Sequence, residues 1–229
     1  MRIISYNLRK NRAVGELEEL TKKHNANTLC LQEVNPDTLP EKIGKLKLVH
    51  ATSRNRLGLA MYVDAERFKV SAAKTFELKK SLHDRVLAPA DERLLGVRMF
   101  DRLTERSVVA ASFHAAPLTA PNSLRRKQIH TALHELSQLG AGLPRVMVGD
   151  YNYPVFQNRL TRLMLDSGYD TAYSDKRTYT RYRVFRGHYD FATSQGFEVS
   201  KVSTLPQGQS DHLPILVEAR TRVELAVAA

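Results

Sequence analysis

The chain has 229 residues, with 35 Lys and Arg against 24 Asp and Glu, for a formal charge of +11. Hydrophobic residues at 42% and charged residues at 26% give an ordinary globular balance, which excludes a disordered chain. No run approaches the about 18 apolar residues that span a bilayer, and the single cysteine, Cys30, excludes an intramolecular disulfide.

Residues 1–7 lack the apolar stretch of a signal peptide, so a cytoplasmic location is expected. The excess of positive charge points to a polyanionic partner: nucleic acid first, anionic lipid second. In chain order, residues 2–6 read as a short strand. Residues 14–25 carry Val14, Leu17 and Leu20 at helical spacing and predict an amphipathic helix. Residues 28–34 form an apolar strand that ends in Gln32 and Glu33. Strands follow at 46–51, 58–63, 67–76, 94–100 and 107–113, close enough for antiparallel pairing. A helix is predicted over 122–139, where Asn122 or Ser123 can cap and Ile129, Leu133, Leu136 and Leu139 share a face. A strand at 145–149 precedes a helix over 155–167, with Pro154 near its start. The chain returns to strands at 190–194, 197–203 and 213–219.

No repeat or Pro/Gly/Ser-rich linker interrupts the pattern. One domain over 1–220 is expected, with 221–229 as a frayed tail. Clustered strands separated by helices predict an α/β (α+β) chain of two mixed sheets packed face to face, with helices outside. A single mixed sheet fits the pattern nearly as well.

The informative feature is where the apolar strands stop. They stop at Asn7, at Gln32-Glu33, at His114 and at Asp150-Tyr151-Asn152. Asp190 lies between Tyr189 and Phe191, and Asp211-His212 precedes the run Leu213-Pro214-Ile215-Leu216-Val217. In α/β folds strand ends face the crevice where ligands bind. Carboxylates, amides and imidazoles gathered there suit Mg²⁺ or Mn²⁺ and general acid–base chemistry. Taken singly, each has an ordinary reading as a turn, a cap or a solvated loop residue.

Taken in order, the strings ISYNL, LCLQEV, ASFHAAP, VMVGDYN, HYDFATS and SDHLPILVEA resemble the endonuclease/exonuclease/phosphatase superfamily, whose fold is DNase I-like. They run from residue 3 to residue 219. The resemblance implies a four-layer sandwich, two packed mixed β-sheets flanked by helices, and hydrolysis of phosphate esters with a divalent metal. By position, Glu33 resembles the principal metal ligand, Asn7 a ligand or its support, and Asp211 a ligand of the same or a second site. His212 resembles the catalytic histidine paired with Asp190. Asp150 would orient or deprotonate the attacking water. Asn152 would donate to the phosphoryl oxygen, and His114 would contact the same phosphate as donor or acid. Arg93 and Arg125 resemble the family's arginines at the start of a central strand and in the Arg-x-x-Gln that opens a helix.

The segment 176–186 carries five basic residues and no acid, with Tyr179, Tyr182 and Phe185 interleaved. Tyr179, Arg181 and Arg183 are the candidates there for stacking on bases and pairing with backbone phosphates. A surface hairpin with inward aromatics is the plainer alternative. Departures from the secreted DNases are also visible. No acid stands in Arg54–Leu59 to pair with His114, and Asn35 replaces an arginine; with no Trp, the chain also lacks the Trp-containing motifs of typical abasic-site repair nucleases. A metal-dependent nuclease is therefore expected. The alternatives are a phosphatase or phosphodiesterase on a lipid, inositol or small-molecule phosphate, and a non-catalytic nucleic-acid-binding module.

Overall fold

The computed structural model describes residues 1–81, 90–180 and 187–222. Among the described residues thirteen strands lie in two mixed sheets. The first holds β1 (Arg2–Asn7), β2 (Thr28–Val34), β3 (Lys42–Ile43), β4 (Leu46–Ala51), β5 (Gly58–Asp64), β12 (Phe197–Thr204) and β13 (Ile215–Thr221), in the order β12-β13-β1-β2-β5-β4-β3. The second holds β6 (Phe68–Glu77), β7 (Glu92–Asp101), β8 (Arg106–His114), β9 (Arg145–Asp150), β10 (Asp170–Tyr173) and β11 (Asp190–Gln195), in the order β10-β11-β9-β8-β7-β6. The α-helices among the described residues are α1 (Leu17–Lys23), α2 (Asn122–Leu139) and α3 (Gln157–Asp166). Two sheets rather than one resolve the alternative that the pattern left open.

The strands read as continuous apolar runs because both faces of each sheet are covered. Inward side chains from the first sheet, Ile3, Cys30, Leu59 and Met61, meet Leu95, Val97, Val108, Val146 and Val148 of the second. The alternate residues face outward. Ile4, Leu29, Leu31 and Tyr62 pack with Leu17 of α1. Leu94, Val109, Met147 and Phe191 pack with Ile129, Leu133 and Leu136 of α2 and with Leu160 and Met164 of α3. Period-2 alternation thus feeds three apolar clusters and four layers. Polar contacts through Ser112 also cross between the sheets, its Oγ donating to the Leu31 carbonyl at 3.1 Å. Gln32 Nε2 donates to Ser112 Oγ at 2.9 Å, and both side chains are buried.

The expected helix over 14–25 begins instead as a 3-10 turn, Arg12–Glu16, which contains Gly15, and becomes α-helical only from Leu17. Two elements lacked a sequence signal. β3 has two residues, and β10 is a half-buried edge strand of four, too short to show a period. β13 continues through Thr221, one residue past the expected domain end.

Pairing brings the polar strand ends to one edge. β1 runs parallel to β2 with Asn7 opposite Gln32, and β8 runs parallel to β9 with His114 opposite Asp150. β11 is antiparallel to β9 and sets Asp190 opposite Asp150. Gly149 makes the β8–β9 approach possible. Its φ is +147°, and a Cβ there would sit 1.9 Å from the Phe113 carbonyl oxygen. Gly149→Ala is expected to destabilise the fold by about 3 kcal/mol or more. A thermal melt within a degree or two of wild type would show that β8 and β9 tolerate separation.

Candidate active site

Glu33 owes its direction to a defect in β2. The β2–β5 register shifts between Gln32 and Val34, and Glu33 adopts φ +55°. A bulge of this kind re-aims the side chain it carries. The following loop is wrapped around it. Arg9, Lys10 and Asn11 lie consecutively in the left-handed region, with φ of 45°, 56° and 63°. For residues other than glycine this costs about 1 kcal/mol or more each. Hydrogen bonds offset the strain. The Arg9 amide donates to Asn7 Oδ1 (3.0 Å), the Lys10 amide to Glu33 Oε2 (2.8 Å) and the Asn11 amide to the Glu33 carbonyl (2.8 Å). Asn7 and Glu33 are thereby fixed as a unit, with Asn7 Nδ2 at 3.4 Å from Glu33 Oε1.

Asp150 Oδ2 is the focus of the site. Asn7 Nδ2 donates to it at 3.1 Å, while His114 Nε2 lies 3.6 Å and His212 Nε2 3.7 Å away. Its other oxygen accepts the Asn152 amide at 2.9 Å, a turn that Asn152 completes at φ +48°. The other ring nitrogen of His212, Nδ1, lies 2.9 Å from Asp190 Oδ2. Asp190 Oδ1 is buried and makes no hydrogen bond, so compensation of this carboxylate falls on His212.

Sequence reasoning missed two supports. Ser210 Oγ donates to the Asn7 carbonyl at 2.7 Å and accepts the His212 amide at 3.1 Å. Thr178 Oγ1 accepts the amides of both Tyr189 and Asp190. The Ser-Asp-His string is the one signal for Ser210; Thr178 had none. The segment around Thr178 pairs with the segment that carries His212, the Leu213 N–H donating to the Thr178 carbonyl and the Thr180 N–H to the Asp211 carbonyl. Tyr179 is a bridge partner of His212, and its ring meets the imidazole edge-on at 5.0 Å.

These groups floor a cavity of about 640 Å³ whose wall includes Glu33, Arg93, His114, Asp150, Asn152, Tyr179, Asp211 and His212. Asn7 and Asp190 stand behind that surface, each 1% exposed. Asp211 also lies 3.5 Å from Arg9 Nε. Arg93 donates to the carbonyls of His114 and Ala115. Arg125 is not part of the wall. Its guanidinium is buried and donates to the Pro117 carbonyl and to Asn122 Oδ1, which holds the 115–122 loop. Gln128 assists by accepting the Ala116 amide. Arg181 and Arg183 lie outside the described residues. The carboxylate beside His114 is that of Asp150, at 3.6 Å.

Burial sets the charge states. It pushes Asp150 up to about 7 against the opposing pull of the His212 charge. It works to lower His212, but the carboxylates of Asp190 and Asp150 outweigh it and lift the imidazole to about 10. Burial, then the charges of Arg93 and His212, hold His114 well below its usual range, so this ring is neutral. The site therefore pairs a buried acid that titrates near neutrality with one charged and one neutral imidazole. Ligand atoms of Asp150, Asp190 and His212 lie within 4.8 Å of one another and could hold a metal ion. Glu33 and Asp211 add carboxylate oxygens to the same cavity wall, while Asn7 turns its Nδ2 to Glu33 and Asp150 and its Oδ1 accepts the Arg9 amide.

The chain matches the model of the Endonuclease/Exonuclease/phosphatase family over residues 4–212. No curated protein matches it in sequence. Solved structures share its fold over nearly its full length. The human Nocturnin catalytic domain with bound sulfate is 16% identical, covering 97% of this chain and 94% of its own, at a TM-score of 0.76. D. rerio TDP2 complexed with a single-strand DNA product is 14% identical, covering 96% and 99%, at 0.75. The mannosyl-6-phosphatase of Bacteroides thetaiotaomicron is 15% identical, covering 96% and 99%, at 0.73. The family match begins in the strand that carries Asn7 and ends on His212, so it spans every residue gathered around Asp150, and the chain belongs to the Endonuclease/Exonuclease/phosphatase family.

Proposed function

We propose that this protein is a divalent-metal-dependent phosphodiester hydrolase acting on DNA or RNA. The observation that carries the reading is the crowding of donors around one buried carboxylate oxygen, Asp150 Oδ2, with His212 clamped between it and Asp190.

Of the two donor sets, the Glu33 and Asp211 carboxylates fit Mg²⁺ or Mn²⁺ better. In the other, His212 Nδ1 is already held by Asp190 and the ring is charged, so a metal there must displace a proton. Glu33 and Asp211 would hold the ion, with Asn7 supporting Glu33 through its amide nitrogen, and the ion when bound offsets phosphate charge and stabilises the leaving oxygen. Asp150 takes the proton of the attacking water, a task suited to a carboxyl raised toward neutrality. His212, kept as imidazolium by Asp190, donates to a phosphoryl oxygen, where transition-state charge accumulates. Asn152 Nδ2 spends one N–H on the Ala115 carbonyl at 3.3 Å and has a second for the same phosphate. Neutral His114 supplies another donor from the opposite wall.

The nucleic-acid substrate is supported by the charge of +11 and by Tyr179, whose ring forms part of the cavity wall. A structural neighbour, TDP2, was solved with a single-strand DNA product. Among the described residues no helix is long and apolar enough to cross a membrane. A cytoplasmic location agrees with the single, buried Cys30.

The test is a panel of duplex DNA, single-stranded DNA, RNA, a phosphoinositide, mannose 6-phosphate and bis(p-nitrophenyl) phosphate, each with Mg²⁺, Mn²⁺ or EDTA. Cleavage of nucleic acid that EDTA abolishes is expected. Turnover that survives chelation would remove the metal, and hydrolysis confined to the monoester would replace the nuclease with a phosphatase.

A further inference from the structure

Beyond Lys10, Arg12, Arg56 and Leu57 the catalytic cavity continues into a recess of about 500 Å³, closed by Asn11 and Asn35. Its walls therefore carry three cations, two amides, one leucine and no acid. Among the described residues, the Lys10, Arg12 and Arg56 side chains make no hydrogen bond or ion pair. Neighbouring cations are engaged: Arg9 faces Asp211, Arg54 pairs with Glu77 and Asp91, and Arg93 bonds to carbonyls. Three unmatched positive charges on one small recess repel each other, and an anion between them removes that cost.

The recess is also built to keep its shape. Lys10 and Asn11 belong to the left-handed turn that Glu33 holds through its carboxylate and its carbonyl. Asn11 then ties the turn to the far wall, Oδ1 accepting the Asn35 amide at 3.2 Å and Nδ2 donating to Thr38 Oγ1 at 3.4 Å. A turn that is strained yet pinned at both ends fits a preorganised binding element.

We infer that this recess is a second phosphate subsite, which takes a backbone phosphate of a nucleic-acid strand next to the one being cleaved. The inference rests on the nucleic-acid reading above and deepens it: the strand leaves the catalytic cavity between the 9–12 turn and the 52–57 loop. A strand carries charges at regular spacing and can fill both sites together, whereas a substrate with one phosphate leaves the recess empty. Asn11 and Asn35 add donors and acceptors for phosphate or sugar oxygens.

The experiment compares wild type with the double variant R12Q/R56Q, which leaves the turn that holds Glu33 untouched. Both positions are exposed, so folding should persist, and a circular dichroism melt checks it. Binding of a fluorescein-labelled single-stranded 12-mer is read by anisotropy in EDTA across a salt series. At about 0.7 per contact, two lost phosphate contacts should flatten the log K against log salt slope by about 1.4. With metal present, kcat/KM on the same oligonucleotide should fall about tenfold or more, while turnover of bis(p-nitrophenyl) phosphate stays at the wild-type level. An unchanged slope and affinity would overturn the subsite with the nuclease reading intact. Wild type that splits the small diester but neither binds nor cleaves the oligonucleotide would overturn the nucleic-acid reading itself, and the subsite with it.

Discussion

Asp150→Asn is expected to lower turnover about a thousandfold and, at pH 8 in EDTA, to raise the melting temperature. The two effects share one cause. Asp150 is buried, and burial sets its carboxyl near 7 rather than at the ordinary 3.8. A folded-state value above the unfolded one means that folding favours the protonated form. The stability this gives is complete below about pH 4 and is lost as pH rises through about 7. Asparagine carries no charge to bury, so the variant avoids that loss. The two proteins should melt alike at pH 4, and the variant should pull ahead between pH 4 and 8. Each pH unit across that interval is worth about 1.4 kcal/mol at most, so the gap reaches at most a few kcal/mol, or on the order of 10 °C. His212 stays held by Asp190 in the variant, and the share of its lift that comes from Asp150 is lost, which takes back part of the gain. Calorimetry at several pH values, alongside single-turnover rates, reads both halves. A variant that melts below wild type at pH 8 would mean that Asp150 is stabilising as an anion, and the proton-acceptor role would then lose its physical basis.

The parts of this site that were legible in the sequence are those whose position follows from strand geometry. Val146–Gly149 and Val108–Phe113 are apolar on both faces, and each run ends where the chain leaves the sheets, so His114 and Asp150 had to emerge at an edge. That the edges coincide follows from β1 parallel to β2 and β8 parallel to β9, which no residue announces. Asp190 and His212 meet at 2.9 Å across 22 residues, a pairing implied by the family resemblance and not by any local pattern. Other features arise from backbone conformation. The bulge that turns Glu33 and the strain across Arg9–Asn11 come from residues with no glycine to mark them. Gln32 reads as one more polar strand end, yet it lies in the core and joins the sheets through Ser112. Arg125 shows the converse. Its spacing to Gln128 is plain in the sequence, and both side chains turn inward onto the loop that follows His114. A polar residue at a strand end is thus a site candidate, and the partner it finds decides between chemistry and support.

Asp190→Asn tests that partner. His212 is buried, which by itself would drive its proton off; the charge of Asp190, with help from Asp150, reverses this and lifts the ring to about 10. Removing the Asp190 charge leaves burial the larger influence, so the imidazole should be neutral at pH 8. If the imidazolium is the group that donates to the phosphoryl oxygen, turnover there should fall about 10³- to 10⁴-fold. The pH–rate profile carries the specific signature. The alkaline limb of wild type, set by loss of the His212 proton near pH 10, should move toward acid in the variant. The activity ratio between the two proteins should accordingly narrow as pH falls from about 9 to about 7. Below that, Asp150 gains its own proton and both proteins decline together. A role for Asp190 confined to packing would lower the rate equally at every pH and leave the alkaline limb in place. A variant within tenfold of wild type at pH 8 would show that a neutral ring suffices, and the donor to the phosphoryl oxygen would then have to be sought in Asn152 or His114.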